Sequence, residues 1–266
     1  MGRRLLKIAY LGTRYCGWQV QPNGISVQTT LQNALERLLG HRPDVCGCSR
    51  TDAGVHANCF YCHFDTESAI PDTGLVLGLN TLLPEDVSAL DCRRVPDDFH
   101  ARYAAMGKTY LYQMYHSLVR DPFSVGRALR LKRELNLQAA KEYCSLLVGR
   151  HDFAAFSSVH RSVSNTVRTV RDCTVTADGN RLTFSVTADG FLYHMVRIMV
   201  GSLLEYSAGR IGAVDVKAAF ETGNRDLLGA TAPPYGLYLD RVYYPEDIGK
   251  EVCFDGRAKK GLETES

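Results

Sequence analysis

The sequence opens without a long apolar run. Leu5 to Leu11 is short and interrupted by Lys7, which excludes a signal-peptide core or a membrane span there. Gly2 is followed by Arg3, Arg4, Leu5 and Leu6, so the Ser or Thr of a myristoylation signal is missing too. A marked charge excess is also absent: 31 Lys and Arg face 29 Asp and Glu over 266 residues, a balance that announces no polyanionic partner by itself. Tryptophan is scarce, with Trp18 alone, and a lone tryptophan reads first as core. Cysteine is present in odd number, nine scattered over the chain, which excludes a simple disulfide framework and favours reduced thiols packed as small apolar side chains. Together these features place the chain in the cytosol, free of membrane.

What is present is a mixed pattern. Period-2 runs predict strands over Leu5–Leu11, Val87–Val95, Thr109–Tyr115, Val167–Thr176, Leu182–Thr187 and Leu237–Tyr243, with a hairpin turn at Asp178-Gly179-Asn180. Helical spacing runs from an N-cap at Ser26 through Val27, Leu31, Leu35 and Leu38 to Gly40, and again after Asn136. A third helix, apolar all round, is expected over Phe191–Ser207, and a shorter one over Ala213–Phe220. Hairpins without strict strand–helix alternation indicate an α+β fold with largely antiparallel sheets. A boundary falls near 101–107, dividing residues 1–105 from 106–245. Residues 246–266 are polar and read as a loose tail, net acidic, so the folded part is the more basic.

Three spellings suggest cofactors and fail on inspection. Cys59-Phe60-Tyr61-Cys62-His63 spells a c-type haem attachment site, but the alternating character of Ala57–Asp65 predicts a strand, which would send Cys59 and Cys62 to opposite faces. Zinc held by Cys46, Cys48, Cys59 and Cys62 requires a Cys-x-Cys pair unusual in a closed tetrahedral site. Gly12 and Gly17 have the spacing of a P-loop, yet Trp18-Gln19 stand where Lys-Ser or Lys-Thr would be needed. Packed thiols and no metal, haem or nucleotide cofactor are expected.

Asp52 sits in "SRTDAGVHA", Ser49 to Ala57. Arg50 and Thr51 supply a charge and a hydroxyl, and Ala53-Gly54 permits a tight turn. These residues alone describe an Asx-type turn between strands as well as a chemical site. The string, however, closely resembles the signature of the TruA family of tRNA pseudouridine synthases. Four more blocks resemble it in family order: "YLGTRYCGWQVQPNGISVQTTL", "FHARYAAMGKTYLYQMY", "DGFLYHMVRIMVGSLL" and "APPYGLYLDRVYY". The resemblance spans Leu6 to Tyr244.

That resemblance implies two pseudo-symmetric α+β halves, with mostly antiparallel sheets flanked by helices and an active-site cleft between them. It implies a cofactor-free isomerase acting on uridine in the anticodon stem-loop of tRNA, working as a homodimer. Asp52 would be the nucleophile, and Arg197 its basic partner. Tyr110 would stack on the extruded uracil, and Arg50 would fill the space the base leaves. Leu237 would wall the pocket, although from the residues alone it is equally a core leucine. For Arg197 the alternative is a snorkelling charge, but flanked by Val196, Ile198, Met199 and Val200 it would be costly to bury without a carboxylate partner, which favours the pair with Asp52. Two positions depart from the family: Ser49 replaces a glycine, and Leu11 replaces an acidic residue. A non-catalytic tRNA-binding scaffold and a haem or zinc protein on Cys59, Cys62 and His63 are the competing readings.

Overall fold

A computed structural model describes residues 2–22, 24–158 and 165–245. The expected tail over 246–266 lies outside the described residues. In chain order the elements are β1 (Gly2–Tyr10), α1 (Val27–Leu39), β2 (Cys46–Gly47), β3 (His56–Thr66), α2 (Asp72–Leu82), β4 (Val87–Val95) and β5 (Gly107–His116). There follow β6 (Leu129–Leu131), α3 (Leu137–Leu147), β7 (Gly149–Asp152), β8 (Val167–Asp178), β9 (Arg181–Ala188), α4 (Met195–Ser207), α5 (Ala213–Thr222) and β10 (Leu237–Tyr243). The fold is α+β. Among the described residues no helix is long and apolar enough to cross a membrane.

The strands form one sheet in the order β4-β1-β3-β10-β5-β9-β8-β7, with β2 added to β3 and β6 to β5. All pairings are antiparallel except β10 with β3 and β6 with β5. The sheets of the two sequence halves are therefore continuous, joined by a strand from the far end of the chain. Tyr238 and Leu239 lie beside His56 and Ala57 on one side, and Leu237 to Tyr243 pair with Tyr112 to Gly107 on the other.

Local chemistry explains most boundaries. The Ser26 side chain accepts from the Thr29 amide at 3.0 Å, and Gly40 turns left-handed at φ 78° to end α1. Asn136 caps α3 in the same way through the Ala139 amide. In β9 the residues Leu182, Phe184, Val186 and Ala188 are buried in strict alternation, the period-2 pattern of a strand with one face on the core.

Beyond the short strands β2, β6 and β7, which no period-2 run marked, two helices differ from expectation. α2 carries Gly74 and Gly78, each costing helix propensity of about 1 kcal/mol, and has no side-chain cap at Pro71, so no sequence signal announced it. Leu75 and Leu79, fully buried, hold it against β4 and α1. The third predicted helix begins at Met195 rather than Phe191, because His194 adopts φ 63° and ψ 2°, a left-handed conformation that cannot continue a right-handed helix. The residues before it, Phe191 to His194, run into the cleft instead.

Candidate active site

Gly47 to Val55, leading into β3, carries the site. Its backbone is pinned from below by the segment after β1. The Trp18 amide donates to the Thr51 carbonyl at 3.2 Å, the Gly54 amide to the Tyr15 carbonyl at 3.2 Å, and the Val55 amide closes a turn on the Asp52 carbonyl at 3.2 Å. Tyr10 and Thr51 share a buried hydroxyl hydrogen bond of 2.8 Å. His56, fully buried, accepts the Gly12 amide at Nδ1 and reaches the Tyr235 carbonyl through Nε2 at 3.0 Å. Burial lowers its pKa, so the ring is neutral with its proton on Nε2, as both bonds require.

This contact explains the glycine spacing that resembles a P-loop. A Cβ on Gly12 would sit 1.9 Å from the Val55 carbonyl oxygen, and one on Gly17, already at φ 102°, 2.5 Å from that of Thr51. Both glycines let the two backbones touch. Trp18 is core, 3% exposed, and stacked on Phe60 at 4.1 Å.

Above the pinned backbone, Asp52 points into a cleft of about 780 Å³ between the two sequence halves. Arg50, Tyr110, Arg197 and Leu237 line the same cleft. Arg197 comes from the first turn of α4 and donates from Nη1 to Asp52 Oδ2 at 3.0 Å and from Nε to the Ala232 carbonyl at 2.8 Å. Side-chain exposures of 13% and 19% show a pair mostly withdrawn from water, which makes the arginine a partnered buried charge rather than a snorkelling one. Tyr110, on β5, is buried. Its hydroxyl lies 3.2 Å from Ser49 Oγ and its ring meets Phe191 edge-on at 5.0 Å. Ser49, one of the two departures from the family pattern, thus contacts the expected stacking residue. Burial raises the Tyr110 hydroxyl pKa well above its ordinary value, so it remains a phenol at neutral pH. Leu237, 6% exposed, is both core and cleft wall, while Arg50 is exposed at the cleft. Leu11, the other departure, is exposed away from these contacts.

Sequence reasoning did not single out His194, whose Nε2 lies 3.5 Å from Asp52 Oδ2. It also missed Phe191, Lys108, Arg102 and Arg168 as cleft residues. No sequence signal marks His194, since its backbone conformation comes from the surrounding structure.

The cysteine readings end differently. Cys59 and Cys62 are both buried in β3, three residues apart on a strand, and do not converge. The cluster with ligand-like spacing is instead Cys46, His63 and His100, whose donor atoms lie within 4.8 Å of one another. His63 Nδ1 already accepts the Ala101 amide at 3.1 Å, and His100 Nδ1 the Arg102 amide at 3.1 Å. A neutral imidazole has one lone-pair nitrogen, so both rings spend theirs on the backbone, and the trio does not suit a cation.

Comparison with known proteins identifies the family. A family described as "tRNA pseudouridine synthase" matches residues 7–104 and 143–245. The chain is 40% identical to tRNA pseudouridine synthase A of Clostridium acetobutylicum over 239 residues, covering 90% of the chain and 98% of the relative. It is 41% identical over 246 residues to the enzyme of that name in Exiguobacterium sibiricum, covering 92% and 98%. For the one in Geobacter sp. (strain M21) the identity is 42% over 242 residues, covering 91% and 98%. Identity at this level, covering 90% of the chain or more, shows that the chain belongs to the tRNA pseudouridine synthase family.

Proposed function

We propose that the cleft isomerises uridine to pseudouridine in the anticodon stem-loop of tRNA, with Asp52 as the nucleophile. The observation that carries this reading is the Asp52–Arg197 pair: a mostly buried carboxylate, held by a guanidinium at 3.0 Å and facing an open cleft beside an aromatic ring.

The reaction breaks the N1–C1′ bond of uridine and forms a C5–C1′ bond, while C5 loses a proton and N1 gains one. Product and substrate have the same atoms and oxidation state, so the balance calls for no cofactor. Asp52 adds covalently, at C1′ or at the uracil ring, and leaves again once the base has turned. Arg197 orients that carboxylate through the bond to Oδ2. The target base must first leave its stem, at a cost of a few kcal/mol. Stacking on Tyr110, worth roughly 1–3 kcal/mol, and insertion of Arg50 into the vacated space offset that cost. Because Tyr110 stays protonated, it offers a ring and a hydroxyl donor rather than a phenolate base. Leu237 closes one side of the uracil pocket.

Arg102, Lys108 and Arg168 bring positive charge to the cleft, where phosphate contacts would position the RNA and weaken as salt rises. The segment between β5 and β6 exposes Leu118, Val119, Phe123 and Val125, apolar surface of the kind a second subunit covers, which supports a homodimer. Free thiols at all eight described cysteines suit the reducing cytoplasm, where tRNA is modified.

The test treats unmodified tRNA transcripts with the wild type and with Asp52→Asn and maps pseudouridine along the RNA. The wild type is expected to form it in the anticodon stem-loop and the variant to form none. Product from Asp52→Asn at the wild-type rate, or none from either protein, would show the assignment to be wrong.

A further inference from the structure

His194 is the one non-glycine residue among those described with a positive φ. Such a backbone persists only where the surroundings hold it, and it concentrates at functional sites. Three contacts surround this ring. Nδ1 lies 2.7 Å from Ser158 Oγ, the face stacks on Tyr193 at 3.8 Å with 25° between the planes, and Nε2 lies 3.5 Å from Asp52 Oδ2. Arg197 Nη1 reaches the same oxygen at 3.0 Å.

We propose that His194 is a positioning residue for the nucleophile: its Nε2–H and Arg197 together hold Asp52 Oδ2, so that Oδ1 is the oxygen that attacks. The inference rests on the assignment of Asp52 as nucleophile. Burial lowers the His194 pKa against the pull of Asp52, and Arg197 acts in the same direction as burial. Among the described residues those two are the charged groups that act on it, and Ser158 and Tyr193 are neutral neighbours. The ring is therefore neutral at neutral pH and carries a single N–H. Asp52, a carboxylate that can only accept, favours the tautomer with the proton on Nε2, and Nδ1 then accepts from the Ser158 hydroxyl, which can serve as donor or acceptor. At 3.5 Å the contact is long for a hydrogen bond, as catalytic contacts often are before substrate tightens them. Two donors on one carboxylate oxygen fix the plane of the group and direct the electron density of the other oxygen into the cleft. The left-handed backbone at His194 is what turns the ring across to Asp52 from the start of α4.

Three substitutions separate this role from a merely structural one. His194→Gly accepts the backbone conformation without strain but has no donor. His194→Gln carries an amide N–H at the distance of Nε2, although it strains the left-handed backbone. His194→Ala loses both the donor and the conformational fit. Single-turnover rates on a tRNA transcript, tRNA affinity and thermal midpoints are measured for each. His194→Gly is expected to fold at least as well as the wild type and to bind tRNA within about threefold. Its turnover should fall by about tenfold to a hundredfold, the range for losing one hydrogen bond to a charged group. His194→Gln should recover part of that loss in rate, and His194→Ala should lose stability as well as rate.

Wild-type turnover by His194→Gly would overturn the proposal. So would a loss confined to tRNA affinity, which would make the ring an RNA contact. Asp52→Asn, run in parallel, separates the two levels. If it is inactive while His194→Gly turns over normally, only the positioning role fails; if it is active, the assignment of the nucleophile fails with it.

Discussion

Burial holds the His63 imidazole at about 4, and the charge of Arg3 and the neighbouring His100 push in the same direction. In the unfolded chain the ring titrates near 6.5. Its folded pKa is thus the lower one, and the neutral form is the native one, with Nδ1 accepting the Ala101 amide. The stability it contributes is complete above pH 6.5 and is lost as the pH falls toward 4. The slope contributed by this one group is at most about 1.4 kcal/mol per pH unit. His56, His100 and His194 are lowered as well and add to the trend with the same sign. Urea midpoints measured between pH 7 and 4.5 should therefore fall with acidity, and His63→Asn, which retains an acceptor for Ala101, should flatten the curve. An equal slope in both proteins would rule His63 out as a contributor. At this scale, residue type was legible and environment was not. His63 ends a haem-like string in the sequence, whereas in the fold its lone pair belongs to a backbone amide. Asp52 read alone as a turn residue, and the ordered motif matches, not its neighbours, singled it out.

The element that presents Asp52 is a loop whose shape depends on another loop. Gly17, at φ 102° with the Thr51 carbonyl oxygen where a Cβ would be, is the tightest point of that contact that also needs a left-handed backbone. Gly17→Ala is expected to cost about 1–3 kcal/mol in strain and to displace Thr51 and Asp52 together. Turnover at saturating tRNA should then fall by more than the loss of folded protein accounts for, measured by denaturation alongside activity at a temperature where the variant is folded. A variant that is less stable but fully active would show that the loop does not depend on this contact. Caps made α1 and α3 readable, because Ser26, Gly40 and Asn136 act within one turn of themselves. α2 was silent for the opposite reason: its glycines weaken local preference, and distant packing at Leu75 and Leu79 supplies the stability. The start of α4 was misplaced because the apolar run continues back to Phe191 while the backbone leaves the helix at His194.

Across the whole molecule, β10 binds the two sequence halves into one sheet. Leu239 within it is fully buried and pairs with Ala57 of β3 on one side and Tyr110 of β5 on the other. Leu239→Ala should cost about 2–5 kcal/mol. Because the sheet is continuous, the loss should appear as one transition. Trp18 fluorescence, which reports the first half, and far-UV circular dichroism, which reports both, should shift together on denaturation. A midpoint for Trp18 unchanged from wild type, with the circular dichroism midpoint lowered, would show that the halves unfold independently. The sequence by itself determined the α+β class, most strands and capped helices, and through its ordered motifs the family and the residues to test. These depend on periodicity, capping and turn chemistry within a few positions of each residue. Only the tertiary structure decided that residues 52, 110, 197 and 237 share a cleft and that His194 reaches Asp52. It also decided that β10 closes the sheet between β3 and β5. Each of these is a contact between segments far apart in the chain, chosen by burial and hydrogen-bond satisfaction across the fold rather than by local preference.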